Sequence, residues 1–156
     1  MKGTIFKNQI SKESREEAKK NIRKIENVAE GSKRIIFQTR SVFPFDLFPD
    51  SIIVDENKVD IIVSTFFATN QSYSIPIANI NGVVVTNALF FASFFLEISG
   101  YNVNPPTVKF LPAGDASKAK QYINGLVVCH KEKINVNDME TEYLKKKLIE
   151  IGKAQP

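Results

Sequence analysis

Between Arg34 and Pro112 the chain carries at least six short apolar or alternating runs in succession, and one helix-patterned run opens at Asp115. Runs this short, rich in β-branched and aromatic side chains and bounded by polar residues, Gly or Pro, form strands. A sheet built from them needs a second layer to hide its apolar face. Many strands closed by one helix is therefore the pattern any fold of this chain must satisfy.

The first predicted strand is Arg34-Ile35-Ile36-Phe37-Gln38-Thr39-Arg40. Ser41 to Asp50 follows, where Phe43-Pro44-Phe45-Asp46-Leu47-Phe48-Pro49-Asp50 holds two prolines that bar a regular helix and favour extended geometry before them. This stretch reads as a structured, Phe-rich connector. Ser51–Asp55 and Lys58–Phe67 are predicted strands joined by a tight turn at Glu56-Asn57. Asn70 and Gln71 mark a further reversal, and Pro76 puts Tyr73–Ile77 at a sheet edge or bulge. Val83–Thr86 and Leu89–Ile98 supply two more strands. Alternation in the second puts Phe90, Ala92, Phe94, Leu96 and Ile98 on one face, with Phe91, Ser93, Phe95 and Glu97 on the other. Thr107–Leu111 completes seven.

Asp115 is a suitable N-cap for the closing helix, whose buried stripe is predicted at Ala116, Ala119, Ile123, Leu126, Val127 and His130, with Gly125 permitting close approach. A second helix is expected from Asn137 to Ile151, opened by Asn137 and Glu140 and stopped by Gly152. Before the body, a charged helix is expected from Ser11 or Ser14 to Gly31, with Ala18, Ile22, Ile25 and Ala29 as a narrow apolar stripe. The expected organisation is a helical extension over 1–33, a β-rich domain with its helix over 34–131, and an amphipathic helix over 132–156.

The formal net charge is +4, and its excess sits at the start: the first 33 residues hold nine Lys/Arg against five Asp/Glu. Arg15, Lys19 and Arg23 share one helix face there and are candidate contacts for an anionic surface.

Catalytic signatures are absent from the sequence. His130 is the one histidine and Cys129 the one cysteine, so no disulfide can form and no zinc set assembles without unusual carboxylate help. Neighbours on a helix point about 100° apart, so these two form no ready nucleophile and base pair. Asp55 and Glu56 fall at a predicted turn and read as solvated charge. Gly-rich phosphate loops are missing. The expectation is a non-enzyme with no metal and no cofactor. Polar residues interrupt the apolar runs before bilayer length, and the first residues hold no signal-peptide run, so a cytoplasmic protein is expected.

The aromatics are the better clue to binding. Twelve Phe accompany no Trp, and Phe91 and Phe95, on the outward face of the sixth strand, need a cover from either a flanking helix or another subunit. Phe43, Phe45 and Phe48 are read as closing the core, and all five are candidate partner-binding residues.

The run from Phe43-Pro44-Phe45 through Ile75-Pro76-Ile77 and Phe90-Phe91-Ala92-Ser93 to the helix after Asp115 resembles bacterial pleckstrin-homology-like (PH-like) domains over about residues 34 to 130. The resemblance implies a mostly β, α+β fold: a bent seven-stranded sandwich or open barrel capped by a C-terminal helix. It also implies a non-enzymatic platform for protein partners, self-assembly or membranes. Lipid-binding members place Lys and Arg on the first connector, and Ser41 to Asp50 has none. The expected function is protein-protein interaction or homo-oligomeric assembly. The alternative is a peripheral membrane adaptor at the inner membrane face, attached through the basic N-terminal helix, and nucleic-acid association ranks below both.

Overall fold

Ile52 and Val54 alternate in one predicted strand, Val59 and Ile61 in the next, and all four side chains are fully buried on one face of a hairpin. The computed structural model in which this is seen describes residues 16, 17, 19–23, 34–66 and 69–154. The chain divides into two compact units, Met1–Lys33 and Arg34–Pro156.

The second unit contains seven strands: β1 (Ile35–Arg40), β2 (Ser51–Asp55), β3 (Lys58–Thr65), β4 (Thr69–Pro76), β5 (Ile80–Asn87), β6 (Phe91–Ile98) and β7 (Val108–Pro112). They form a four-stranded sheet in the order β1-β2-β3-β4 and a three-stranded sheet in the order β5-β6-β7. Every pairing is antiparallel. One helix, α1 (Ala113–Lys131), follows the last strand, so the fold is the mostly β, helix-capped sandwich that the PH-like resemblance implies. A second helix, α2 (Thr141–Lys153), belongs to the same compact unit and packs along the first.

The core takes Ile52, Val54, Val59 and Ile61 from one sheet, Phe94, Leu96 and Leu111 from the other, and Ala116, Ala119, Ile123 and Leu126 from α1. Each large apolar side chain so buried contributes about 1.5–3 kcal/mol relative to exposure. The predicted helix stripe is rotated slightly in the structure. Tyr122 and Cys129 are buried in place of Val127 and His130, and the Tyr122 ring packs 5.4 Å from that of Phe37 on β1. Burial also raises the Cys129 thiol pKa.

Several local expectations are corrected. Helix α1 starts at Ala113 behind Pro112 rather than at an Asp115 cap. Asp115 sits in the first turn, where its charge suits the helix dipole, and accepts a 3.1 Å hydrogen bond from the Thr39 hydroxyl. Asn137 does not open α2, because Asn135 accepts from the Asn137 amide at 3.0 Å and holds the segment as a turn. Glu140 is the cap instead, accepting from the amides of Glu142 and Tyr143. Gly152 does not stop α2, which runs to Lys153. It is glycine because a Cβ there would collide with the Gln121 backbone, just as a Cβ on Gly125 would lie 2.5 Å from the Leu148 carbonyl oxygen. Asn70 and Gln71 lie within β4, paired with Ser64 and Val63, so the reversal precedes them.

Asp55 and Glu56 are buried, not solvated. Asp55 Oδ1 accepts from the amides of Asn57 and Lys58 at 2.7 and 2.8 Å and so shapes the β2–β3 turn. Glu56 forms an ion pair with Arg34 Nε. The Arg34 guanidinium also donates to the carbonyls of Met139 and Val136, tying the start of β1 to the link between the helices.

In the first unit, residues 16, 17 and 19–23 are helical and exposed, including Ile22. Arg15, Ala18, Ile25, Ala29, Gly31 and the caps at Ser11 and Ser14 lie outside the described residues, as does Phe67 in the body. Among the described residues no helix is long and apolar enough to cross a membrane.

Candidate interaction surface

The connector between β1 and β2 folds back on itself around one buried hydroxyl. Ser41 donates to Asp46 Oδ2 at 2.6 Å and accepts from the Asp50 amide at 2.7 Å, while its own amide donates to the Asp50 carbonyl at 2.9 Å. Asp46 Oδ1 accepts from the Phe48 amide at 3.1 Å. Asp50 Oδ1 accepts from the Ser64 amide and the Pro49 carbonyl from the Ser64 hydroxyl, which fastens the connector to β3. Polar groups thus occupy the inside of the loop and the apolar side chains turn outward. Phe43 and Phe45 are 67% and 58% exposed and Leu47 is exposed beside them, which corrects the expectation that Phe43, Phe45 and Phe48 close the core.

Asp50 has its pKa raised, first by burial, against the lowering effect of the Ser64 amide, with Asp46 adding repulsion. The connector therefore holds one partly buried carboxyl that resists charging, and it carries no Lys or Arg.

The outward rings make contact with one another. Phe45 lies 4.7 Å from Phe91 and 6.4 Å from Phe110, and Phe91 lies 6.3 Å from Phe110. Phe48 meets Phe66 edge-on at 5.6 Å. Phe91 is half-buried, and its ring contacts are with Phe45 on the connector and Phe110 on β7, where the sequence suggested a flanking helix or another subunit. Phe95 is also half-buried and sits across from Val84 of β5. Phe90, expected inward, precedes β6 and is 71% exposed.

Phe110 could not have been found by alternation. Lys109 and Phe110 are consecutive yet both exposed, because Phe110 adopts a left-handed backbone with φ 56°, uncommon for a bulky side chain. Its carbonyl accepts from the Val42 amide at 3.0 Å, so this turn also joins β7 to the connector. Phe66 was within reach of sequence, as an apolar residue at a hairpin end, but its pairing with Phe48 was not.

No protein-family model matches the chain, and no curated protein matches it. Among solved structures it is similar to a DUF1696 family protein with a pleckstrin-homology domain from Shewanella loihica PV-4, at 17% identity and a TM-score of 0.38, covering 65% of this chain and 77% of that one. The assignment of the fold rests on strand order and the capping helix, not on this likeness.

The remaining candidates are dispersed. Lys19 and Arg23 are exposed on the N-terminal helical segment, and Lys19 pairs with Glu16 at 3.8 Å. Cys129 is buried while its neighbour His130 is exposed. Among the described residues, no three His, Cys, Asp or Glu side chains come together as a metal-binding group.

Proposed function

We propose that Arg34–Pro156 is a non-catalytic PH-like module that binds protein, either a partner or another copy of this chain, through its aromatic end. One observation carries this reading: Phe43, Phe45, Leu47, Phe48, Phe66, Phe90 and Phe110 are exposed on elements joined by ring contacts and by the Ser41 network. Apolar surface of this kind marks interaction sites on soluble proteins, and rigidly held aromatics are the side chains that anchor protein interfaces. A connector already tied down loses little freedom on binding. Charge-assisted recognition of an anionic headgroup there would have no cation on the connector to supply it.

The test places a photo-crosslinking side chain at position 45 or 90 of the full chain in its native host. Solution mass is measured alongside by light scattering over a wide concentration range. Crosslinks to a protein or to a second copy, lost when Phe43 and Phe48 are changed to Ser, support the reading. A constant monomeric mass with no protein crosslinks, together with salt-sensitive binding to anionic liposomes, would replace it with the peripheral membrane adaptor built on Arg15, Lys19 and Arg23.

A further inference from the structure

The hairpin turn after β2, the 3-10 turn Ile77–Asn79 after β4, the last turn of α1 and the link to α2 enclose a cavity of about 230 Å³. Hydrogen bonds fix these segments against one another. The Ile77 amide donates to the Asn57 carbonyl at 2.8 Å and the Ile134 amide to the Cys129 carbonyl at 2.9 Å. The Arg34 guanidinium holds the link through the carbonyls of Val136 and Met139. The cavity is thus built into the fold.

Most of its wall is apolar, made by Pro76, Ile77, Leu126, Cys129, Ile134 and Val136. Cys129 belongs with the hydrocarbon side chains because burial raises its thiol pKa and keeps it neutral at physiological pH. Glu56 is the single acidic side chain of the lining, and no Lys or Arg joins it. It is buried, its Oε1 pairs with Arg34 Nε, and its Oε2 has no hydrogen-bond partner among the described residues. Buried carboxylate oxygens are ordinarily bonded, and leaving one bare is destabilising. A donor entering the cavity would relieve this.

Charge selects the kind of donor. Asp55 and Glu56 are both buried at this corner, with Asp60 following on β3. The cations that answer them are Arg34, on Glu56, and Lys58, whose Nζ lies 2.7 Å from Asp60. Three carboxylates therefore meet two cations. Two further acceptors border the cavity, the exposed side-chain amides of Asn57 and Asn137, which have no hydrogen-bond partner among the described residues. An ammonium carries three N–H donors and no acceptor, the number that one carboxylate oxygen and two amide oxygens call for.

We propose that this cavity binds a small primary ammonium on a compact apolar body, its charge against Glu56 and its hydrocarbon against Leu126, Ile134 and Val136. Small-molecule sites have this composition, an apolar wall with a few placed polar groups. An apolar cavity of about 150 Å³ already admits benzene, so this one suits a ring of that size with an aminomethyl arm. The site shares no residue with the aromatic end and stands whether or not that end binds protein.

The experiment titrates the full chain with cyclohexylmethylamine and follows backbone amide shifts by heteronuclear NMR. Saturable shifts confined to Asn57, Ile77, Ala78 and residues 129–137 are expected. Cyclohexylmethanol, similar in shape and uncharged, should bind about tenfold more weakly or worse, and cyclohexanecarboxylate should not bind. Glu56→Gln, checked for unchanged melting, should weaken the amine about tenfold or more and leave the alcohol nearly unaffected. Ala78→Trp, which fills the cavity from an exposed position and leaves the Arg34–Glu56 pair intact, should abolish binding of both. Nα-acetyl-lysine methylamide carries the same ammonium on a peptide and should bind more weakly than the free amine. Equal or tighter binding of that peptide would assign the cavity to a protein lysine and overturn the small-molecule reading. No saturable shift at millimolar amine overturns the proposal, as do shifts scattered over other acidic residues or equal binding of amine and alcohol.

Discussion

The rings of Phe45 and Phe91 lie 4.7 Å apart between centroids and are tilted by 51°. One belongs to the connector and the other to β6, so the half-buried ring is shielded by a more exposed one. Phe91→Ala should cost about 2 kcal/mol, below the full burial penalty of a core Phe, and Phe45→Ala about 1 kcal/mol, the scale of one aromatic pair. Because they share a contact, the double variant should lose less than the sum. Urea denaturation of the four proteins measures this, and strict additivity would mean the two rings act independently.

Asp50 gives a pH prediction with a definite sign. Burial and Asp46 hold its carboxyl above the ordinary 3.8 despite the Ser64 amide, so the folded chain binds this proton more tightly than the unfolded chain. Its contribution is unfavourable above the folded-state pKa and is relieved as pH falls through that value toward the unfolded one. Asp50→Asn keeps an acceptor for the Ser64 amide without the charge. The variant should be the more stable protein at neutral pH, with its advantage shrinking as the medium is acidified through the raised pKa. An advantage that grows on acidification would show that the charged form is the favoured one.

How much of this was legible in sequence depended on whether a local pattern or a distant contact set the outcome. Alternation placed Ala92, Phe94 and Leu96 inside, and element order gave many strands closed by one helix, while the sandwich architecture was what the PH-like resemblance implied. The connector was misread because Phe weighs toward burial in any residue-by-residue reading, whereas its direction was set by Ser41 bonding across to Asp46 and Asp50. Phe110 was hidden by a left-handed backbone that breaks the period. Glu56 looked solvated at its turn because its partner, Arg34, stands 22 positions earlier.

The crossing of α1 and α2 depends on two missing side chains. In an exposed helix Gly→Ala would gain about 1 kcal/mol from propensity, but at Gly125 and Gly152 the new methyl would enter backbone atoms of Leu148 and Gln121. Backbone cannot step aside as a side-chain tip can, so overpacking at a cost of about 1–3 kcal/mol or more should outweigh the gain. Gly114→Ala, with nothing within 4 Å of its Cβ, is the control and should be neutral or slightly stabilising. Thermal unfolding orders the three, and limited proteolysis within 132–140 should accelerate in the first two alone.

The buried Arg34–Glu56 pair should act as a fastener whose halves are costly to remove singly. Glu56 is 5% exposed, and its Oε2 has no hydrogen-bond partner among the described residues, so Arg34 supplies the compensation for its charge. Arg34→Met leaves that carboxylate unpaired and also releases the carbonyls of Val136 and Met139. A loss of about 3–5 kcal/mol is expected, the scale for breaking one side of a buried pair. Glu56→Leu strands the guanidinium but leaves those two carbonyls bonded, so it should cost less. The double variant removes both charges and should recover part of the Arg34→Met loss, since an apolar pair of similar volume often matches a buried ion pair in stability. A double-mutant cycle by chemical denaturation reads the coupling directly. Single losses near zero would mean that water reaches the pair in solution, and that the tie from β1 to the link between the helices rests on the two carbonyl bonds alone.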